Sequence, residues 1–263
     1  MEQKKAVLVT SFGTSHLDTL EKTIAAIERA IGEALPDYTL RRAFTSSIIM
    51  RKLRSRDNLC IDNVPQALTR LMDEGYRQVI VQPTHILCGE EYDKLCALAA
   101  PFKEFMDISM GTPLLHTTEN YWTVTRTIPQ LLEAPAEDEA IVFMGHGSPH
   151  FANASYALLQ YLLEELGQDR IFIGTVEGLP TLEQVIGRMK RNPAIKKLRV
   201  MPLMVVAGDH ANNDMAGPEE DSWVNVLKKE GYEVTCILRG LGEFPQIQQL
   251  FAASALRASE AFR

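Results

Sequence analysis

Several features that define common classes of protein are scarce in this 263-residue sequence or missing from it. No apolar run approaches the roughly 20 residues that a membrane-spanning helix needs. The N-terminus, Met1-Glu2-Gln3-Lys4-Lys5, leads directly into a short apolar run, so we expect no signal peptide and no membrane association. The four cysteines form no CxxC pair and lie at Cys60, Cys88, Cys96 and Cys236. They indicate reduced thiols in a cytoplasmic protein.

Basic residues are outnumbered by acidic ones, 27 to 34, which gives a formal net charge of −7. Such a chain is unfavourable for nucleic-acid binding, because phosphate contacts need a positive surface. No P-loop sequence is present, and we expect no organic cofactor. The hydrophobic share of 46% and the charged share of 23% are typical of a globular protein and exclude a disordered, collagen-like or coiled-coil architecture. Composition leaves a homo-oligomer open.

Short apolar runs rich in β-branched residues alternate with longer amphipathic stretches along the whole chain. The strands are predicted at 5–10, 38–44, 78–83, 107–111, 139–144, 170–176, 197–203 and 232–238. The helices are predicted at 18–34, 64–74, 91–105, 119–132, 151–166, 181–191, 217–230 and 245–257. Alternation of this kind predicts an α/β fold with parallel sheets and helices on both faces.

An internal repeat divides the chain into similar halves. Residues 7–16 align with residues 141–150 at an offset of 134 positions, and a second match, 79–91 with 199–210, has an offset of 119 at Pro83 and Pro202. We therefore expect two Rossmann-like lobes, 1–133 and 139–263, each a four-stranded parallel sheet flanked by helices, related by a pseudo-dyad. The polar linker 133–139 joins them. A ligand cleft is expected between the lobes, beyond the carboxyl ends of the strands.

His146 follows a buried strand and lies between Gly145 and Gly147. The glycines allow a sharp turn and close approach by a bulky ligand. Histidine is suited to moving protons or holding a metal near neutral pH. The alternative interpretation is a strand-to-helix turn in which the histidine only packs or caps.

His210 and Glu177 each follow another strand of the same half. Two imidazoles and one carboxylate make a workable site for a divalent first-row metal. The alternatives are a helix start capped by Asp209, Asn212 or Asn213 and a surface glutamate in a turn.

Two segments of the first half correspond to these motifs. Glu91 aligns with His210 and is expected to face the same cleft, although an acid at a helix start is also favourable by itself. The loop Ser11-Phe12-Gly13-Thr14 corresponds to the His146 loop, with Phe12 in place of the histidine. An aromatic side chain there could line a pocket for a flat ligand, or it could belong to ordinary packing.

The basic run at 51–56 contains Arg51, Lys52 and Arg54. It is either a solvated helix face or a positive patch that receives a polycarboxylate ligand. His85 and His116 also lie near strand ends, and we assign them no role.

Taken together, these motifs resemble those of the anaerobic-pathway cobaltochelatases, which are class II chelatases related to the ferrochelatases. The resemblance runs essentially end to end, and its motifs are the His146 loop, 202–210, 11–15, 82–92, 221–223 and 240–243. It implies insertion of Co²⁺ into sirohydrochlorin or its precursor precorrin-2, in a cleft between two Rossmann-like lobes.

The resemblance also implies the roles of the site residues. The catalytic histidine falls on His146, the metal ligands on His146, Glu177 and His210, and a further active-site acid on Glu91. Residues Ser11 to Thr14, Gly145 and Gly147 would line the tetrapyrrole. Such a site also accepts Fe²⁺, Ni²⁺ or Zn²⁺. The alternatives are a sirohydrochlorin ferrochelatase, a tetrapyrrole or metal carrier without turnover, and a two-lobed solute receptor, against which the lack of an export signal counts.

Overall fold

A computed structural model describes residues 3–262 and contains two separate parallel sheets of four strands each. The first sheet has the order β2-β1-β3-β4, with β1 at Lys5–Ser11, β2 at Thr39–Phe44, β3 at Gln78–Pro83 and β4 at Asp107–Met110. The second has the order β6-β5-β7-β8, with β5 at Glu139–Gly145, β6 at Ile171–Thr175, β7 at Lys197–Pro202 and β8 at Glu233–Cys236. The predicted fold class is confirmed, and every predicted strand forms within two residues of its predicted bounds.

The described residues form ten α-helices, nine between successive strands and a tenth after β8. They are α1 Leu17–Lys22, α2 Ile24–Ala34, α3 Ser47–Asp57, α4 Val64–Asp73, α5 Glu90–Ala99, α6 Thr118–Thr127, α7 Ala154–Glu165, α8 Leu182–Met189, α9 Trp223–Lys229 and α10 Pro245–Ser259. None of them combines the length and the apolar character that crossing a bilayer requires.

The helices differ from the predicted elements in several places. The predicted helix 217–230 begins only at Trp223, and the predicted helices 91–105 and 119–132 continue as 3-10 helices after Ala99 and Thr127. The predicted helix 18–34 is interrupted at Thr23, whose backbone leaves the helical region and whose hydroxyl donates to the carbonyl of Thr19 at 2.5 Å. Helix α3 is absent from the predicted elements. Leu53 is its one buried side chain, so the apolar periodicity that marks a helix is too weak there. Its start is instead marked by Ser46, whose hydroxyl accepts from the backbone N–H of Ile49.

The strand register confirms the internal repeat. Thr10 lies opposite Pro83 between β1 and β3, and Met144 lies opposite Pro202 between β5 and β7. These are the same pairs that the two sequence offsets relate. The central strands β1 and β5 are buried along nearly their whole length, as their β-branched and apolar runs require.

The compact units divide the chain differently from the predicted lobes 1–133 and 139–263. One unit contains the chain up to His116 together with the chain from Pro245 onward, and the other is Thr117–Phe244. The reason is the burial of two helices. Helix α10 packs on α2, β3 and β4 of the first unit, and α6 packs on α7 of the second. The linker 133–139 separates the two sheets, but the chain passes between the units at 116–117 and 244–245.

Candidate metal centre

Three side chains of the second unit converge at the carboxyl ends of its strands. Each offers one ligand atom, and these three atoms, from His146, Glu177 and His210, lie within 4.8 Å of one another. The two imidazole rings meet edge to face, with centroids 4.5 Å apart. The three residues come from three different strand-to-helix connections, so the sheet itself brings them together. His146 and Glu177 are exposed and His210 is half-buried, which leaves the group open to a ligand.

The turn after β5 orients His146. Gly147 has a φ of +87°, a conformation that glycine adopts at little cost. A Cβ atom at this position would lie 2.6 Å from the backbone nitrogen of Gly178, so only glycine fits beside the Glu177 loop. The His146 Nδ1 atom lies 2.9 Å from the carbonyl oxygen of Gly147. Because a carbonyl only accepts, Nδ1 carries the proton and the Nε2 lone pair is free.

His210 is oriented in the same way by a carboxylate. Its Nδ1 atom lies 2.7 Å from Oδ2 of Asp214, one turn further along the π-helical segment Ala211–Met215. The carboxylate accepts a hydrogen bond from the Nδ1–H group, which leaves Nε2 free to bind a metal. Such a carboxylate behind a histidine fixes the tautomer and the orientation of the ring.

The loop that carries Glu177 is attached to the His146 turn by backbone and side-chain bonds. The Glu177 N–H donates to the carbonyl of His146 at 2.8 Å. Asn153 connects both loops, because its Oδ1 accepts from the Ser148 N–H at 3.1 Å and its Nδ2 donates to the carbonyl of Leu179 at 2.9 Å. Oε2 of Glu177 lies 3.9 Å from Nδ1 of His146. The carboxylate can therefore join the two imidazoles as a third metal ligand.

Gly145 permits a different close contact. The ring of Tyr156 lies directly against its Cα, so any side chain at this position would collide with the ring. Tyr156 is buried, and burial raises the pKa of its phenol above the usual range. The neutral hydroxyl faces the N–H of Gly147 at 3.5 Å. Gly145 thus serves packing beneath the turn.

Glu91 lies in the first unit, at the start of α5. The Thr45 hydroxyl donates to its Oε2 at 2.7 Å, and Lys94 Nζ lies 3.7 Å from its Oε1. Both ring nitrogens of nearby His85 are inaccessible to solvent and lack a hydrogen-bond partner among the described residues. Burial lowers the pKa of His85 to about 4, against the opposing effect of the Glu91 charge. His85 is therefore neutral at pH 7.

The loop after β1 presents one exposed side chain. Phe12 is 50% exposed, whereas Ser11, Gly13 and Thr14 are buried. The Ser11 hydroxyl accepts from the Thr84 hydroxyl at 2.8 Å. Of the four residues predicted to contact a substrate in this loop, Phe12 has the side chain available to do so.

Sequence reasoning did not assign a role to Asp214 or Asn153. The spacing of four residues between His210 and Asp214 on a helical segment is a signal that could have identified the first pair. Asn153 carries no such signal, because its two partners lie in loops distant in sequence.

The candidate metal centre offers nitrogen and oxygen ligands and no sulfur ligand. All four cysteines are free thiols, and none belongs to the metal-ligating group. Two imidazole nitrogens and one carboxylate, with the remaining positions open, suit a divalent first-row cation such as Co²⁺, Fe²⁺, Ni²⁺ or Zn²⁺.

The fold, two parallel four-stranded α/β sheets, has counterparts among solved structures. The fold matches the structure titled SirB from Bacillus subtilis with Fe³⁺, with a TM-score of 0.66 and 15% identity over 99% of this chain and 98% of that one. It also matches CbiX, described as the terminal enzyme for biosynthesis of siroheme in denitrifying bacteria, with a TM-score of 0.54 and 15% identity over 95% and 97% of the two chains. At these identities the likeness shows the fold.

The sequence defines the family more narrowly. The model of the cobalt chelatase (CbiK) family matches residues 5–260, and the chain belongs to this family. The sirohydrochlorin cobaltochelatase of Salmonella typhimurium is 42% identical over 95% of this chain and 94% of its own length. The sirohydrochlorin cobaltochelatase CbiKC of Nitratidesulfovibrio vulgaris is 33% identical over 92% and 86%. The expected family and enzyme class are confirmed.

Proposed function

We propose that this protein inserts Co²⁺ into sirohydrochlorin, with His146, Glu177 and His210 holding the incoming metal. The observation that carries the proposal is the convergence of three ligand atoms within 4.8 Å, with both imidazoles oriented so that Nε2 is free. The names of the family and of the two relatives support the choice of metal and macrocycle. The four free thiols support a cytoplasmic location.

The reaction exchanges two pyrrole N–H protons for one divalent cation. A given imidazole nitrogen binds either a metal or a proton, so His146 Nε2 can accept a pyrrole proton once it has released the metal. The resulting imidazolium would lie beside the Glu177 carboxylate, whose Oε2 is 3.9 Å from Nδ1. His210, held by Asp214, keeps its Nε2 on the metal until transfer is complete. We propose that Glu91 guides the metal or relays the second proton, as the resemblance implies.

Histidine-to-alanine variants test these roles. We expect His146→Ala and His210→Ala each to lower the rate of cobalt insertion by about 100-fold or more, because one ligand and, for His146, the base are lost. Insertion is followed by the change of the sirohydrochlorin absorbance spectrum, and folding by circular dichroism. His116→Ala, which removes an exposed histidine from the first unit, is the matched control and should retain activity. A folded His146→Ala protein with full activity would contradict the assignment.

The same assay separates the competing functions. Each of Co²⁺, Fe²⁺, Ni²⁺ and Zn²⁺ is supplied in turn, and Co²⁺ should give the highest kcat/KM. Faster insertion of Fe²⁺ would favour a ferrochelatase. Binding of the macrocycle without conversion to the metallated spectrum would indicate a carrier.

A further inference from the structure

Helix α3 exposes three cations that have no acidic partner among the described residues. Arg51, Lys52 and Arg54 are all exposed, whereas the next cation, Arg56, pairs with Asp57. In a chain with a net charge of −7, three adjacent unpaired cations form a distinct positive patch. Their charge is available to an external anion.

The structure holds this part of α3 beside the loop that carries Phe12. The Ser46 N–H, at the start of the helix, donates to the carbonyl of Phe12 at 3.2 Å. Arg56, near its end, donates to the carbonyl of Ser15. The loop and the helix are therefore attached at two points, and the three unpaired cations occupy the helical turns between those points.

An apolar surface adjoins the cations. Ile48 is 67% exposed and Phe12 is 50% exposed. Ile48 precedes Arg51 by three positions and Lys52 by four, so it lies on the same side of α3 as both. The buried Leu53 anchors the opposite side. Exposed apolar side chains and unpaired cations therefore occur together on α3 and on the loop attached to it. We call these five residues the α3 surface: Phe12, Ile48, Arg51, Lys52 and Arg54.

We propose that the α3 surface binds the tetrapyrrole substrate, with Phe12 and Ile48 against the flat ring and the three cations on its rim carboxylates. This inference rests on the proposed function, in which the substrate is a polycarboxylate macrocycle. Charge complementarity selects this occupant. A flat apolar ring bordered by carboxylates matches exposed apolar side chains bordered by guanidinium and ammonium groups. A nucleic acid would meet the repulsion of the remaining acidic surface.

The substitution R51Q/K52Q/R54Q tests the cations together. Exposed ion pairs contribute modestly one by one, so loss of all three should raise the KM for sirohydrochlorin about tenfold. The KM for Co²⁺ and kcat should change less than about twofold, since the metal ligands are untouched. The wild-type KM for sirohydrochlorin should rise with salt, and that dependence should flatten in the variant.

A matched control is K103Q/K196Q/K228Q. It removes the same three charges from exposed lysines that precede β4, β7 and β8, at the amino edges of the two sheets. Its KM for sirohydrochlorin should stay within about twofold of the wild-type value, as expected for exposed charges distant from the ligand. An equal rise in both variants, or no rise in the α3 variant, would overturn the proposal.

Binding of metal-free sirohydrochlorin, measured by its absorbance change without any metal, separates this proposal from the proposed function. If the wild type binds the macrocycle without inserting cobalt and the α3 variant binds it about tenfold more weakly, the α3 surface is supported and the chelatase assignment fails. A wild type that does not bind the macrocycle would overturn both. A DNA duplex bound by the wild type and lost by the α3 variant, with macrocycle binding unchanged, would overturn the α3 assignment alone.

Discussion

The two imidazoles of the candidate metal centre are oriented at the same ring atom by different acceptors. The Nδ1–H group of His146 donates a hydrogen bond to the carbonyl of Gly147, and that of His210 donates one to the carboxylate of Asp214. The backbone acceptor cannot be removed by mutation, whereas the carboxylate can. The negative charge of Asp214 also favours metal binding at Nε2, because it stabilises the positive charge of the bound metal ion. Replacing Asp214 therefore tests how the Nδ1 partner of His210 affects the affinity of this centre for metal.

Asp214→Ala should weaken Co²⁺ binding by about 10- to 100-fold, because the His210 ring loses its orientation and its acceptor. Binding of Co²⁺ without tetrapyrrole is measured by calorimetry. Asp169→Ala removes an exposed carboxylate just before β6, at the amino edge of the same sheet, and should leave the affinity unchanged. Equal affinities for Asp214→Ala and wild type would show that the Nδ1 partner does not matter.

Elements of the second unit position the ligands through loop-to-loop contacts. Strands β5 and β6 end side by side, with Gly145 opposite Thr175, so the His146 and Glu177 loops begin at neighbouring points. Asn153 then connects the two loops. Gly178, which has no side chain, lies directly against the Asn153 side chain. The carboxylate thus depends on the Asn153 amide for its position, although the amide does not touch a ligand atom.

Asn153→Ala should raise the KM for Co²⁺ several-fold and lower the free energy of unfolding by about 1–3 kcal/mol, because the Ser148 N–H loses its acceptor and the Leu179 carbonyl loses its donor. Urea unfolding and steady-state insertion kinetics measure the two effects. Asn192→Ala removes an exposed asparagine that accepts from the Ala194 N–H ahead of β7, and is expected to affect stability alone. A wild-type KM for Co²⁺ in Asn153→Ala would mean that the Glu177 loop holds its position without the bridge.

At the scale of the whole molecule, the two sheets follow the sequence repeat but the compact units do not. The apolar side of α10, including Ile247 and Phe251, is buried in the first unit, and Ser254 Oγ lies 3.1 Å from Oγ1 of Thr112. In the second unit, Tyr121 of α6 is hydrogen-bonded to Ser155 of α7 at 2.6 Å. Each unit therefore contains a helix that a division at the linker would assign to the other.

Two fragments distinguish these divisions. Fragment 117–244 corresponds to the second compact unit and should unfold cooperatively on heating. Fragment 139–263 lacks α6 and exposes the apolar side of α10, at a cost of about 1.5–3 kcal/mol for each large side chain. It should be the less stable of the two, or aggregate, when followed by circular dichroism. A higher melting temperature for 139–263 would support the division at the linker instead.

The sequence by itself determined the two-sheet α/β architecture, the repeat and the residues of the metal centre, because each has a local signature. Apolar β-branched runs mark buried strands. His146 directly follows β5, Glu177 lies two residues beyond β6, and His210 lies in the connection after β7. The tertiary structure decided the remainder. Four features depend on contacts between distant segments: the position of α3, the bridge by Asn153, the isolation of His85 and the placement of α6 and α10. No local pattern in the chain encodes such contacts, because they arise only when separate elements compete for the same buried surface.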